Sequence, residues 1–253
     1  MTAAIDLNMD MGEGFGAWRI GNDADLMPLI SSVNLAAGFH AGDPSTMART
    51  LEQAADHDVA VGVHPGFRDL VGFGRRHIDA SAEELTHDVL YQLGALRELA
   101  THQGLSLHHL KLHGALFMHA AADDDFAQTL CRALSKTAPD LPLYGLPGTA
   151  LDRAAAQQGL HRVHEFYADR DYDRQGRLVF VRRQAPLDPQ AVADRVLRAC
   201  REGKVETVEG EQLDVAFASI CIHSDTPGAL ALVQRVRRAL DEAGVAIAPW
   251  RAP

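Results

Sequence analysis

Short apolar runs alternate along the chain with longer stretches of helical period. The runs at residues 4–9, 33–36, 59–63, 109–112, 141–145, 162–165 and 217–222 read as strands, and a last short one falls at 245–248. Between them, residues 47–57, 81–103, 124–136, 149–158, 189–202 and 227–243 read as helices. The longest opens with Ser81-Ala82-Glu83-Glu84, the spacing of a capping box, and carries Leu85, Val89, Leu93 and Leu96 on one helical face. Alternation of this kind predicts a parallel sheet covered by helices. The number of units predicts an irregular (β/α) barrel of about seven strands, with residues 1–253 as one domain. An open doubly wound sheet is the second choice. No Gly-x-Gly-x-x-Gly follows the first strand and no Gly-x-x-x-x-Gly-Lys-Ser/Thr occurs, so a dinucleotide fold or a phosphate loop lacks its usual marks. Residues 167–183 read as a loop or small hairpin, and 204–215 as a hairpin turning at Gly210.

Composition narrows the classes. Apolar residues make up 47% of the 253, enough for a sizeable core. The formal net charge of −10 disfavours nucleic acid and anionic membranes as partners. Three cysteines, Cys131, Cys200 and Cys221, are widely spaced and free of Cys-x-x-Cys, which suits a reduced, cytoplasmic protein and offers no thiolate zinc site. The start, MTAAIDLNMD, does not read as a signal peptide, and no apolar run approaches the roughly 20 residues of a membrane span.

Chemistry concentrates at strand ends. Four strands run into a histidine: His40 in GFHAGD, His64 in VGVHPGF, His113 in LKLHGAL and His223 in CIHSD. A lone strand-end histidine is more often a hydrogen-bonded loop residue. Four in equivalent positions are expected to converge, because the carboxyl ends of parallel strands share one face. His57, His77, His87, His102, His119 and His161 fall on helices or surface loops and are assigned no function.

In the first strand, period 2 puts Asp6, Asn8 and Asp10 on one face, opposite Ile5, Leu7 and Met9. Glu13 follows in a glycine-flanked turn, placed to act as acid or base. In the fourth strand His109, Lys111 and His113 share a face, so an inward Lys111 needs Asp6 or Asp10 as partner. Two loops hold arginines able to grip an anion: Arg75 and Arg76 in FGRR, and Arg170 between Asp169 and Asp171.

Six stretches in order resemble the LamB/YcsF family: DLNMDMGEGFGAWRIGND, NLAAGFHAGDP, VGVHPGFRDLVGFGRR, LKLHGALF, ADRDY and ICIHSD. They cover residues 6 to about 225. The chain departs from the family's pattern at Ala37 (commonly Cys), Leu112 (Pro), Met118 (Asn nearby) and Ser224 (Gly). The resemblance implies a polysaccharide-deacetylase-like barrel. It also implies opening of 5-oxo-L-proline to L-glutamate, coupled to ATP hydrolysis (with Mg²⁺) by a complex with partner subunits B and C. In such a complex the partners phosphorylate the lactam and this chain opens it.

On that reading Asp10 or Glu13 is the general base near His40 and His64, and His113 or His223 protonates the leaving nitrogen. Lys111 and Arg170 hold the developing anion or phosphate, and Arg75 the substrate carboxylate. Asp6, Asn8 and Asp225 complete the expected substrate-binding set. Asp10, His40 and His64 are alternatively ligands of a divalent metal. The other readings are a stand-alone metal-dependent amidohydrolase or sugar deacetylase, and an accessory subunit that only binds substrate.

Overall fold

A computed structural model of the chain describes residues 4–179, 181 and 185–252. In chain order its elements are β1 (Ala4–Met11), α1 (Asp23–Leu26), β2 (Ser32–Ala36), α2 (Pro44–Asp56), β3 (Ala60–His64), α3 (Ala82–His102) and β4 (His109–Lys111). There follow α4 (Gly114–Ala122), α5 (Asp124–Thr137), β5 (Leu143–Gly145), α6 (Ala150–Gln157), β6 (Arg162–Tyr167), α7 (Pro189–Glu202), β7 (Lys204–Glu206) and β8 (Gln212–Asp214). The chain closes with β9 (Ser219–His223), α8 (Ala229–Glu242) and β10 (Ala246–Ile247).

Seven parallel strands run β1-β2-β3-β4-β5-β6-β9, and β9 pairs with both β6 and β1, which closes the barrel. Closure excludes the open doubly wound sheet. It also excludes an exposed edge for β1, which β9 and β2 flank. β10 adds a short pairing at the start of β1, Ala4 to Ala246 and Ile5 to Ile247.

Period 2 decides which side of the wall each residue faces. Ile5, Leu7, Met9 and Met11 of β1, Val33 and Leu35 of β2, Val61 and Val63 of β3, and Ile220 and Ile222 of β9 belong to the apolar cluster beneath the helices. Leu85, Val89, Leu93 and Leu96 of α3 are buried in the same cluster. The hydrophobic core is therefore the shell between barrel wall and helices, while the barrel's interior is filled by polar side chains.

The helix signals act as read. Ser81 and Glu84 form the reciprocal capping box. Asp43 caps α2 through the Ser45 and Thr46 amides, with Pro44 in the first turn, so α2 starts earlier than its apolar period indicates. The hairpin at 204–215 exists as β7 and β8. Within 167–183 a bridge joins Tyr172 to Leu178, whereas residues 180, 182 and 183 lie outside the described residues. Helices α1 and α4 have no counterpart in the pattern. In α4, GALFMHAAA is almost entirely apolar and so shows no polar–apolar period. No helix among the described residues is long and apolar enough to cross a membrane.

Candidate active site

The barrel interior is a stack of hydrogen-bonded layers. At the bottom, both carboxylate oxygens of Asp6 are occupied by hydroxyl donors: Ser31 at 2.6 Å, Ser32 at 2.7 Å, Ser219 at 2.6 Å and Tyr144 at 3.0 Å. Above it Asn8 donates to Glu165 Oε1 at 2.9 Å and to Ser219, and accepts from Asn34. Gly62 is needed at this level, because a Cβ there would lie 2.1 Å from His109 Nε2. Asp6 and Asn8 thus face inward, as their spacing indicates, but they are spent on the barrel's own network and do not line the cavity at its mouth. Period gives the face of a strand, not the depth along the barrel axis.

Lys111 joins the interior to the mouth. Its ammonium is buried, 3.1 Å from Asp10 Oδ1, 3.2 Å from Glu165 Oε1, 3.2 Å from Asn8 Oδ1 and 2.9 Å from Cys221 Sγ. The partner of Lys111 is Asp10 rather than Asp6. Burial lowers the lysine's pKa, but its contacts with Asp10, Cys221 and Glu165 outweigh that and hold it well above its ordinary value. Asp10 is shifted in the opposite sense: burial pushes its carboxyl up, but His64 and Lys111 prevail and hold it well below the usual range. Asp10 Oδ1 also accepts from Asn34 at 2.7 Å, leaving Oδ2 facing His64 Nε2 at 3.3 Å and His223 Nε2 at 3.7 Å.

Glu13 behaves differently. Burial, then the nearby charge of Asp10, pushes its carboxyl well above the ordinary range. Its Oε1 has no hydrogen-bond partner among the described residues, and lies 3.4 Å from His40 Nε2 and 3.6 Å from His113 Nδ1. Two carboxyl groups with their pKa values driven apart can divide the roles of base and acid.

The four strand-end histidines come together. His40 and His113 stack at 3.8 Å between ring centroids, and His64 stands edge-on to both. His64 Nδ1 donates to the Lys111 carbonyl at 2.8 Å, and His113 Nε2 to the Phe73 carbonyl at 2.8 Å. Burial first, and neighbouring histidines next, lower the pKa values of His40 and His113, favouring neutral rings. His223 Nδ1 lies 2.9 Å from Asp169 Oδ1. Asp169 is buried, but His223, Arg170 and Thr226 hold its carboxyl below its ordinary value.

The cavity at the mouth is lined by Asp10, His64, Lys111, His113 and His223 on its floor, with Arg75, Arg170, Leu112, Phe117, Met118 and Tyr167 around them. It encloses about 660 Å³, counting the solvent at its opening. Asp225 pairs with Arg75 at 2.6 Å and approaches Arg170 at 3.8 Å, so it holds two arginines in place and is not among the cavity's lining residues. Arg76, itself largely exposed, turns away to the buried Asp69. None of His57, His77, His87, His102, His119 and His161 lines this cavity. Of the departures from the family pattern, Leu112 and Met118 form part of the wall and Ala37 does not.

Ligand-type atoms fall in two groups that could hold a cation: Glu13, His40, His64 and His113, and separately Asp10, Cys221 and His223. The expected trio of Asp10, His40 and His64 is therefore divided between them, although Asp10 and His64 remain in contact. Reasoning from sequence does not bring Asp169, Glu165, Tyr167, Asn34 or Phe73 into the site. Period 2 along β2 and β6 signals Asn34, Glu165 and Tyr167. Phe73 carries no such signal: its backbone adopts a φ of 56°, rare for an aromatic residue, which aims its carbonyl at His113.

Fold and site together define a parallel β/α barrel with a histidine–carboxylate centre, walled by cations, at the carboxyl ends of its strands. The chain belongs to the LamB/YcsF family, whose model matches residues 5–253. It is 64% identical over 245 residues to the first of the 5-oxoprolinase A subunits of Pseudomonas aeruginosa, covering 96% of this chain and 97% of that one. Its fold matches a crystal structure of lactam utilization protein from Thermus thermophilus with a TM-score of 0.92 at 43% identity, over 98% of this chain and 100% of that one. The catalytic domain of a peptidoglycan N-acetylglucosamine deacetylase from Eubacterium rectale shares the fold at a TM-score of 0.51 and 11% identity, over 99% of this chain and 90% of that one.

Proposed function

We propose that this chain acts as the A subunit of an ATP-hydrolysing 5-oxoprolinase, opening the lactam ring of 5-oxo-L-proline to give L-glutamate. The observation that carries the reading is the convergence of Asp10, His64, Lys111, His113 and His223 on one cavity, in a chain 64% identical to a relative of that name. The whole chain serves as one cytoplasmic barrel unit, and subunits B and C supply the ATP chemistry with Mg²⁺. A five-membered lactam is a poor electrophile with a poor leaving nitrogen, and phosphorylating its oxygen in the partner subunits remedies both. The absence of a phosphate-loop motif in this sequence agrees with that division.

The site's groups then have distinct tasks. Asp10, kept ionised by Lys111 and His64, accepts a proton from the attacking water through Oδ2. The water oxygen bonds to the former carbonyl carbon, and the C–N bond breaks as the nitrogen takes up one proton from His223 Nε2 and one returned from the water by way of Asp10. The acyl phosphate so formed then loses inorganic phosphate to a second water, leaving L-glutamate. Asp169 fixes the orientation of His223 as a buried carboxylate does for a catalytic imidazole. Lys111 offsets negative charge developing beside Asp10. Arg75 and Arg170, steadied by Asp225, hold the substrate carboxylate or the transferred phosphate at the rim.

The test is reconstitution with subunits B and C, following glutamate release from 5-oxoproline with and without ATP. ATP-dependent release that requires this chain is the expected result. Release by this chain alone without ATP would replace the reading with that of a stand-alone amidohydrolase, and no release with all three subunits and ATP would overturn it.

A further inference from the structure

The orientation of two histidines carries a further conclusion. A backbone carbonyl can only accept, so the contact of His64 Nδ1 with the Lys111 carbonyl places the ring proton on Nδ1. By the same logic the contact of His113 Nε2 with the Phe73 carbonyl places that ring's proton on Nε2. The remaining nitrogens, His64 Nε2 and His113 Nδ1, are bare lone pairs in the neutral rings, and they face each other at 3.0 Å. Two acceptors at that distance repel unless a positive species, a proton or a metal ion, lies between them, and Asp10 Oδ2 faces the same His64 Nε2 at 3.3 Å. Beside them is Glu13 Oε1, buried and without a partner among the described residues, 3.6 Å from His113 Nδ1.

We propose that His64 Nε2, His113 Nδ1 and Glu13 Oε1 bind one divalent transition-metal ion of the zinc or cobalt type. The spacing suits it. Ligand atoms about 2.0–2.1 Å from one ion stand about 2.9–3.6 Å apart for angles between right-angled and trigonal. The three atoms lie within 4.8 Å of one another, with the two measured separations at 3.0 and 3.6 Å. Two imidazoles and one carboxylate favour such an ion over Mg²⁺ or Ca²⁺, which prefer all-oxygen sets. The outer contacts of the imidazoles are in place, since each passes its second nitrogen to a backbone carbonyl.

His40 stands outside this ligand set. Its ring lies parallel to His113 within 4° at 3.8 Å between centroids, so an ion in the plane of one ring cannot lie in the plane of the other. Its Nε2 lies 3.4 Å from Glu13 Oε1 without a hydrogen bond between them. His64 and His113 also line the cavity, so an ion held there would be within reach of substrate and would polarise a carbonyl oxygen.

The inference concerns the same cavity as the proposed activity, but its test is made on the isolated chain and is read as metal content, so the two can fail separately. The chelator-treated, desalted protein is titrated with Co²⁺ and with Zn²⁺. Bound metal is measured by mass spectrometry and coordination by the visible bands of Co²⁺, with folding followed by circular dichroism. One ion per chain is expected. His113→Ala and Glu13→Gln should each weaken binding by more than the roughly 10–100-fold typical of an outer-sphere partner. A folded wild-type chain that takes up neither ion overturns the proposal and leaves a shared proton between the two rings. Binding that both variants retain at full affinity overturns it as well, and places the ion elsewhere.

Discussion

Asp169 Oδ1 lies 2.9 Å from His223 Nδ1, and the opposite nitrogen of that ring looks across 3.7 Å to Asp10 Oδ2. The imidazole is thus held between a buried carboxylate that orients it and one that faces substrate. Asp169→Asn keeps the shape and removes the charge. We expect kcat for glutamate release to fall by ~10²-fold or more, as for loss of a positioned acid or base, with KM little changed. A raised KM with kcat unchanged would show that Asp169 serves substrate binding instead.

Lys111 is the buried cation between Asp10 and Glu165, where the barrel interior meets the cavity. Lys111→Met should destabilise the protein by about 3–5 kcal/mol, the usual cost of leaving buried carboxylates unpaired. Urea denaturation measures it. Adding Asp10→Asn should recover part of the loss, because the two residues are in contact and their effects will not add.

Asp6 separates a structural acid from a catalytic one. Its oxygens accept from four hydroxyls at the bottom of the barrel, out of reach of the cavity. Asp6→Ala should lower stability by at least several kcal/mol, since four buried hydroxyls lose their acceptor at roughly 1–3 kcal/mol each. At a temperature where the variant stays folded, KM for 5-oxoproline should remain unchanged. A raised KM would restore Asp6 to the substrate site.

Asp43 supplies the pH test of local stability. It caps α2 and also accepts from the Gly16 amide, tying the loop that carries Glu13 to the helix. Its hydrogen bonds, that of Thr46 foremost, lower its pKa from 3.8 to about 2. A depressed folded-state value means that the stabilisation is complete above about pH 4 and fades as pH falls towards 2. Asp43→Ala should therefore cost about 1 kcal/mol near neutrality, typical of a lost cap, and progressively less below pH 4. Melting curves of the two proteins across that range would show the gap closing; a constant gap would contradict the cap's charge as its source.

The legible parts of this site are those set by period and topology. Parallel strands bring their carboxyl ends to one face, so His64, His113 and His223 can be placed together from a run of apolar residues ending in histidine. Alternation along β1 puts Asp6, Asn8 and Asp10 inside, and it correctly demands a partner for Lys111. Depth is not legible, because alternation is the same at the bottom and top of a strand, and only the register with Ser32 and Ser219 shows that Asp6 is enclosed. Loop paths are not legible either. The turn that lays Phe73's carbonyl against His113 depends on Gly74, with φ of 63° and a Cβ that would meet His113 at 2.7 Å. The stacking of His40 on His113 depends on contacts between two loops far apart in sequence. Helix α4 is hidden from pattern because its apolar residues run all the way round, including half-buried positions, and leave no polar face to reveal its period.

Asp10, as the ionised group that receives a proton from water, stands at the centre of the proposed chemistry. The direct measurement is kcat of Asp10→Asn, reconstituted with subunits B and C at saturating 5-oxoproline and ATP, alongside a check that the complex assembles. A fall of ~10²–10⁴-fold in glutamate release with assembly intact is the predicted result. Release within a few-fold of wild type would contradict it.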